Sequence, residues 1–409
     1  MLNKTMPDWP HDYGIRVLDS LSGVDAHDWD QLLLMQAHPT PFMRHAYLSA
    51  LQTSGSAGVE TGWTLRVFLL EQQSKLLAAT VVYVKTHSRG EYVFDHAWAN
   101  AYAQHGFHYY PKAVCAVPFT PVTGSRLLAH SATDRLRLAQ ALIAWTHAEK
   151  LSGLHVLFAS DEDLLACTSA GMLTRQTVQF HWNNSPTPHA SFGDFLSTLS
   201  QEKRKKIRQE RRKVADAGVT FRALHGTAIE PEDWAFFYRC YERTYLEHGN
   251  LPYLNQGFFT AMSAHMPEDW LLFIALREGQ AIAASLIAVN ASCRTSHQSP
   301  DGMPGVAYGR YWGALERVDC LHFEACYYQA LEWCIANGYQ RFEGGAQGEH
   351  KLARALMPVT THSAHWLEHP DFFEAVDHYL VSERAGIQAY VNELQQHSPL
   401  KANLHRSAD

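Results

Sequence analysis

Two stretches, Val306-Ala-Tyr-Gly-Arg-Tyr-Trp-Gly313 and Glu343-Gly-Gly-Ala-Gln-Gly-Glu-His-Lys351, decide how this chain is read. The first is an apolar strand by its aromatic content and its alternation. After it, Phe323, Cys326, Tyr327, Ala330, Leu331, Cys334 and Ile335 fall three and four apart, which predicts a buried helix face over residues 321–337. A second short strand at 339–343 then opens into the glycine-rich loop. Strand, helix and strand make an α/β unit, and open α/β sheets take their ligands beyond the carboxyl ends of the strands. The crowd of titratable groups stands at that end.

The same order occurs earlier. Residues 63–70 and 77–84 read as a strand–turn–strand pair that resembles 270–276 and 282–289. Gln140-Ala-Leu before one strand parallels Gln329-Ala-Leu before another. This echo predicts a duplicated α/β unit, and 409 residues suit two domains of about 200 each. The boundary falls in the polar, proline-bearing segment Asn183-Asn-Ser-Pro-Thr-Pro-His189, giving domains 1–185 and 190–409. Residues 1–30 read as an irregular lead-in, 291–304 as a polar excursion, and 370–395 as a closing helix before a disordered tail. The expected fold class is α/β with a mixed sheet.

Composition narrows the function. A net charge of -7 excludes a general polyanion binder, so any phosphate contact must be a local patch. The N-terminus lacks a signal-peptide core, and the apolar runs are far shorter than the roughly 20 residues that span a bilayer. The expected location is cytoplasmic. Seven cysteines without a Cys-x-x-Cys pair fit reduced thiols, and the 25 histidines do not cluster at ligand spacing, so no metal site is expected.

In the first strand, alternation sends Val306, Tyr308, Arg310 and Trp312 one way, and Ala307, Gly309, Tyr311 and Gly313 the other. An Arg within so apolar a strand needs an anionic partner. His322 and Gln329 share a helix face apart from the buried one. Acyl transfer to an amine requires a base for the ammonium proton and donors for the tetrahedral oxyanion. Glu343, Glu349 or His350 could be the base, and Lys351 the anion partner, with Gln347 beside them. The run 203–213 holds eight basic residues in eleven and reads as a patch for a nucleotide, a lipid phosphate or RNA. Its Lys203, Arg204 and Arg208 are the candidate phosphate ligands, with Arg211 continuing the line of Arg204 and Arg208. In the first half, Lys85, Lys112 and Arg126 sit in polar-aromatic segments that could line a second cleft.

Several segments carry a family resemblance: Gly90-Glu-Tyr-Val-Phe-Asp95, Tyr109-Tyr-Pro-Lys112, Pro118-Phe-Thr-Pro-Val-Thr-Gly124, Tyr308-Gly-Arg-Tyr-Trp-Gly313, Leu321-His-Phe-Glu-Ala-Cys-Tyr-Tyr-Gln329 and Gly345-Ala-Gln-Gly-Glu-His-Lys351. Over residues 39–399 the chain resembles the FemAB-like bacterial family of GNAT-type acyltransferases. The resemblance implies two tandem acyl-CoA N-acyltransferase domains, as in the Fem peptidoglycan aminoacyltransferases, which use aminoacyl-tRNA and a lipid- or nucleotide-linked muropeptide. Glu343 falls where those enzymes carry an acidic residue after a strand, and Lys351 near their downstream Lys. One departure concerns the donor. Acetyl-CoA-dependent relatives have a glycine-bearing loop where this chain reads Leu315-Glu-Arg-Val-Asp-Cys-Leu321.

The resulting expectation is an N-acyltransferase with no permanently bound cofactor. Acyl-CoA or aminoacyl-tRNA would be the cosubstrate, and a small molecule or muropeptide the acceptor. Glu343, Glu349, His350 and Lys351 form the catalytic set. Tyr308, Arg310, Trp312, His322, Gln347, Lys203, Arg204, Arg208, Lys85, Lys112 and Arg126 form the binding set. Two other readings stand beside it: a non-catalytic module holding a phosphorylated cell-wall precursor, and RNA binding through the basic helix.

Overall fold

Apolar alternation in the first half builds an antiparallel set of strands. β1 (Tyr13–Leu18) pairs with β2 (Trp63–Gln72), β2 with β3 (Lys75–Lys85), and β3 with β4 (Lys112–Cys115). The β2–β3 hairpin turns on Gln73 and Ser74, at φ 50° and 66°, the left-handed pair that matches strand twist. Helices α1 (Ala26–Leu34), α2 (His45–Thr53) and α3 (His96–Gln104) fill the connections. The short β5 (Leu128–Ala129) also pairs with β3. Helix α4 (Ala132–Ala148), capped by Ser131, then crosses over to β6 (Gly153–Leu157), which runs parallel to β4. Helix α5 (Asp161–Ser169) and β7 (Leu173–Asn183) follow. This computed structural model describes residues 12–184, 188–294, 303–346 and 348–401.

The second half repeats the plan. After α6 (Phe192–Thr198) and α7 (Gln201–Asp216) comes β8 (Val219–His225), then α8 (Pro231–Glu247) and α9 (Gln256–His265). The strands β8, β9 (Trp270–Arg277), β10 (Gln280–Val289) and β11 (Val306–Ala314) pair antiparallel in succession. Helix α10 (residues 321–336) crosses to β12 (Arg341–Ala346), parallel to β11. A last strand, β13 (Met357–Leu367), leads into α11 (Pro370–Gln396). Hairpin, antiparallel strand, helix and parallel strand thus occur twice, and the chain is a tandem of two mixed α/β units.

Each unit completes its sheet with a strand from the other half of the sequence. In the first unit β6 pairs antiparallel with β13, Ser363 opposite Leu157. In the second, β12 pairs antiparallel with β7, Glu343 opposite His181. The compact units are accordingly residues 1–177 with 360–388, and 178–359 with 389–409. This differs from a single cut near residue 187, because the exchange of one strand per unit leaves no mark on composition. The lead-in expected to be irregular holds β1 and α1. The expected boundary segment and polar excursion lie partly outside the described residues, as does the tail beyond 401.

The first unit's core gathers Phe68, Val82, Leu138, Leu142 and Val156 between sheet and α4. The second unit's core gathers Phe180, Trp182, Tyr328, Leu331, Phe342 and Leu356 between sheet and α10. On the opposite face α8 comes so close to β11 that a Cβ on Gly313 would lie 1.9 Å from the Cys240 carbonyl oxygen.

Candidate active site

The sheet of the second unit opens at its middle. β11 and β12 are joined by three register pairs, Val306 with Arg341, Ala307 with Phe342 and Tyr308 with Glu343. Beyond Tyr308 the β10–β11 register also slips: Leu286 pairs with Tyr311 and Ile287 with Gly309, so Arg310 is the extra residue of a β-bulge. The bulge breaks the strict alternation expected of this strand and brings Gly309, Arg310, Tyr311 and Trp312 all to the wall of one cavity.

That cavity, of about 130 Å³, lies in the parting of the strands. Phe342 and Gly344 of β12, Ser285 of β10, and His322, Cys326 and Tyr327 of α10 complete its lining. Residues 324–328 form a turn of π-helix, which widens α10 where it meets the cavity. Burial, with His350, Arg354 and Lys351 adding to it, lowers the His322 pKa to about 4, so its imidazole is neutral at pH 7. Burial raises the Cys326 thiol to about 12. Trp312 packs edge-on to His322, with ring centroids 5.6 Å apart.

The loop after β12 closes this end. Lys351 is buried, its Nζ donating to the Gly345 carbonyl at 3.2 Å, and burial lowers its pKa to about 8. His350 is exposed, with Nε2 3.3 Å from the Tyr327 hydroxyl. Burial, then Lys351 and Arg354, lower its pKa. Arg354 fixes the loop: it bonds Glu210 of α7 at 2.9 Å, donates to the His350 carbonyl at 2.7 Å, and stacks 3.4 Å over Phe323. The Tyr328 hydroxyl donates to the same Glu210.

Glu343 points elsewhere. Phe342 and Gly344 line the cavity, so strand alternation sends the Glu343 side chain to the other face of the sheet. There it is 3 % exposed, 3.0 Å from Arg341 and 3.9 Å from His181, beside the buried Tyr308. Of the sequence candidates, the structure brings Arg310, Trp312 and His322 together at the cavity and places His350 and Lys351 near it. Glu343 and Tyr308 are set behind it. Gln347 lies outside the described residues, as does the Glu349 side chain.

The remaining candidates divide by unit. Lys203, Arg204 and Arg208 stand on α7, where Arg208 is exposed. Arg211, expected to extend their line, instead anchors the helix through Glu324 and Glu332. In the first unit Lys85, Lys112 and Arg126 are all buried. Lys112 bonds Glu91 at 2.7 Å and also Asp95. Lys85 lies 3.6 Å over the Trp63 ring, and burial lowers its pKa to about 7. Arg126 donates to the carbonyls of Leu157 and Val122.

Sequence reasoning passed over Ser285, Cys326 and Tyr327, since each fits an ordinary buried strand or helix face. Among the described residues no group of three or more His, Cys, Asp or Glu is placed to hold a metal ion, and no helix is long and apolar enough to cross a membrane.

Solved structures share this duplicated mixed α/β fold. FemX superposes with a TM-score of 0.51 at 10% identity, over 88% of this chain and 100% of that one. L-PGS from Bacillus licheniformis gives 0.50 at 12%, over 87% and 97%. The C-terminal domain of a putative lysylphosphatidylglycerol synthetase from Agrobacterium fabrum gives 0.52 at 10%, over 87% and 96%. Residues 20–402 match the FemAB-like family, described as peptidoglycan biosynthesis/recognition, and the chain belongs to that family. No curated protein sequence matches it.

Proposed function

We propose that the protein is an N-acyltransferase acting on an amine of a peptidoglycan precursor, with the reacting acyl carbonyl in the parting of β11 and β12. One observation carries this reading: the ladder ends at Tyr308 and Glu343, and beyond it lies a small cavity walled by a neutral imidazole, a phenol and a guanidinium. Strands that part leave backbone N–H groups without a ladder partner, and such groups can hold a tetrahedral oxyanion. The amine attacks the carbonyl carbon, a C–N bond forms, and the ammonium proton passes to neutral His322. The C–O or C–S bond to the donor then breaks, and the leaving oxygen or sulfur takes that proton from His322, which returns to the neutral form. Arg310 balances negative charge at the bulge. Glu343 serves by holding Arg341 and the strand end, and the base role falls to His322, with His350 next to it.

The donor is an aminoacyl-tRNA or an acyl-CoA. The glycine-free turn before α10 argues for the former over acetyl-CoA. Incubating the chain with alanyl-tRNA or acetyl-CoA and a UDP-linked muropeptide, with products read by mass spectrometry, tests the proposal. Acylated muropeptide from wild type, and a hundredfold or so less from His322→Asn, is expected. No product with either donor, together with thermal stabilisation by the muropeptide alone, would make the protein a binding module.

A further inference from the structure

Helix α7 carries far more positive charge than its own packing uses. Eight of its sixteen residues are Lys or Arg and three are acidic. Arg211 is taken up by Glu324 and Glu332, and Glu210 is taken up by Arg354. Lys205, Lys206, Arg208, Arg212 and Lys213 are left exposed, on a chain whose net charge is -7. A polar concavity of about 630 Å³ runs along this face between Arg204, Lys205, Arg208 and Arg212. A second, also about 630 Å³, begins at the same Arg208 and Arg212; Leu196, Val214, Ala215, Val219 and Phe221 give it an apolar side, and Arg211, Thr220, Glu324 and Gln329, with Arg211 paired to Glu324, complete its lining. A cationic rim therefore meets a partly apolar floor at two shared arginines.

We infer that this surface docks an anionic phospholipid of a bilayer, with the phosphate between Arg208 and Arg212 and the upper part of an acyl chain on the Val214–Val219–Phe221 floor. Charge complementarity chooses an anionic partner, since each Lys or Arg near such a surface adds attraction. The apolar floor chooses lipid over RNA. A nucleic-acid backbone uses the cations alone, and single-stranded recognition wants exposed aromatic rings to stack on. The anchors that fix α7, Arg211 to Glu324 and Glu210 to Arg354, also tie it to α10 and to the loop beside the cavity. Docking on α7 would therefore set the cavity at a defined height above the membrane. The inference does not depend on acyl transfer, because binding is read without turnover.

Co-sedimentation of the full chain with phosphatidylcholine vesicles, with and without one-third phosphatidylglycerol, tests it. Binding only to the anionic vesicles is expected. The Arg208→Glu/Arg212→Glu variant should lose at least about tenfold in affinity. Arg208→Gln, a mild change at an exposed helical position, should lose less in the same direction and guards against a misfolded double variant. Phe221→Ser should bind like wild type at low salt and lose the fraction that survives high salt. Equal binding to both vesicles overturns the inference. So does wild-type binding that high salt removes completely and that uncharged tRNA displaces, which would mark the helix as an RNA face.

Discussion

Tyr308 and Glu343 face each other across the last rung of the β11–β12 ladder, and the cavity opens one residue further along both strands. This rung divides two kinds of chemistry. Behind it Glu343, Arg341 and His181 form a buried polar patch; ahead of it Gly309 and Gly344 face each other's strand without bulky side chains. Glycine suits the second place for a steric reason. A Cβ on Gly344 would come within 2.4 Å of Leu356 and 3.0 Å of the Phe180 carbonyl.

Glu343→Gln separates the two sides of the rung. The side chain keeps its shape and loses its charge against Arg341. Because Glu343 faces away from the cavity, the expected cost is in stability, about 1–3 kcal/mol, with kcat changed only a few-fold. Urea unfolding and the muropeptide assay, run on the same preparation, check this. Loss of turnover at unchanged stability would return Glu343 to the mechanism.

Lys112→Met tests the first unit. Lys112 is fully buried between Glu91 and Asp95, and Tyr109 also donates to Asp95. Removing the cation strands two carboxylates in a dry site, at a cost of about 3–5 kcal/mol. Urea unfolding should show that loss, and Glu91→Gln in the Lys112→Met background should restore part of it. A ligand-binding lysine would instead tolerate the change.

These two cases show where the sequence was legible. Periodicity placed the hairpins and α10 because each buries one apolar stripe or one alternating face. The duplicated order of elements was equally visible. The strand exchange was not, since β13, with Thr360, Thr361, His362 and Ser363 among its residues, looks polar until His365 meets His155 and Ser363 inside the first unit. The bulge at Arg310 was invisible for another reason. A single inserted residue changes which face every later side chain takes, and nothing in Val306–Ala314 announces it. Arg310, Trp312 and His322 were found by residue type, whereas Cys326 and Tyr327 needed the π-turn to be seen.

The buried histidines give a pH dependence with a definite sign. Burial lowers His155 to about 3 and His365 well below its ordinary value. The unfolded chain takes up these protons as pH falls through about 6.5, while the folded chain resists until much lower. Their contribution to stability is therefore complete above about pH 6.5 and declines as pH falls below it. Glu91 and Asp163, raised by burial to about 7 and about 6, act in the opposite sense, losing stability as pH rises through those values. The test is therefore a difference: between about pH 7 and pH 5 the unfolding free energy of His365→Phe should fall less steeply than that of wild type. Parallel curves would mean that His365 titrates in the fold as it does in the unfolded chain, with no lowering by burial.

Cys326→Leu fills the cavity from its own wall. Cys326 lines the parting beside His322 and Tyr327, and the space of about 130 Å³ is only that of a few atoms of an acyl group. Cys326 is a neutral thiol, so the substitution removes no charge, and its sulfur interacts with Ser285. Two added methyl groups in an existing void cost little stability and can raise it, unlike insertion into a packed core. Thermal midpoint should therefore hold or rise, while the shift given by a saturating acyl donor shrinks and the KM for the donor rises by about tenfold or more, each tenfold being about 1.4 kcal/mol of lost binding. Muropeptide binding, measured separately by its own thermal shift, should be unchanged. If donor binding survives the filled cavity, the acyl group lies elsewhere, and the parting of β11 and β12 is a feature of the fold alone.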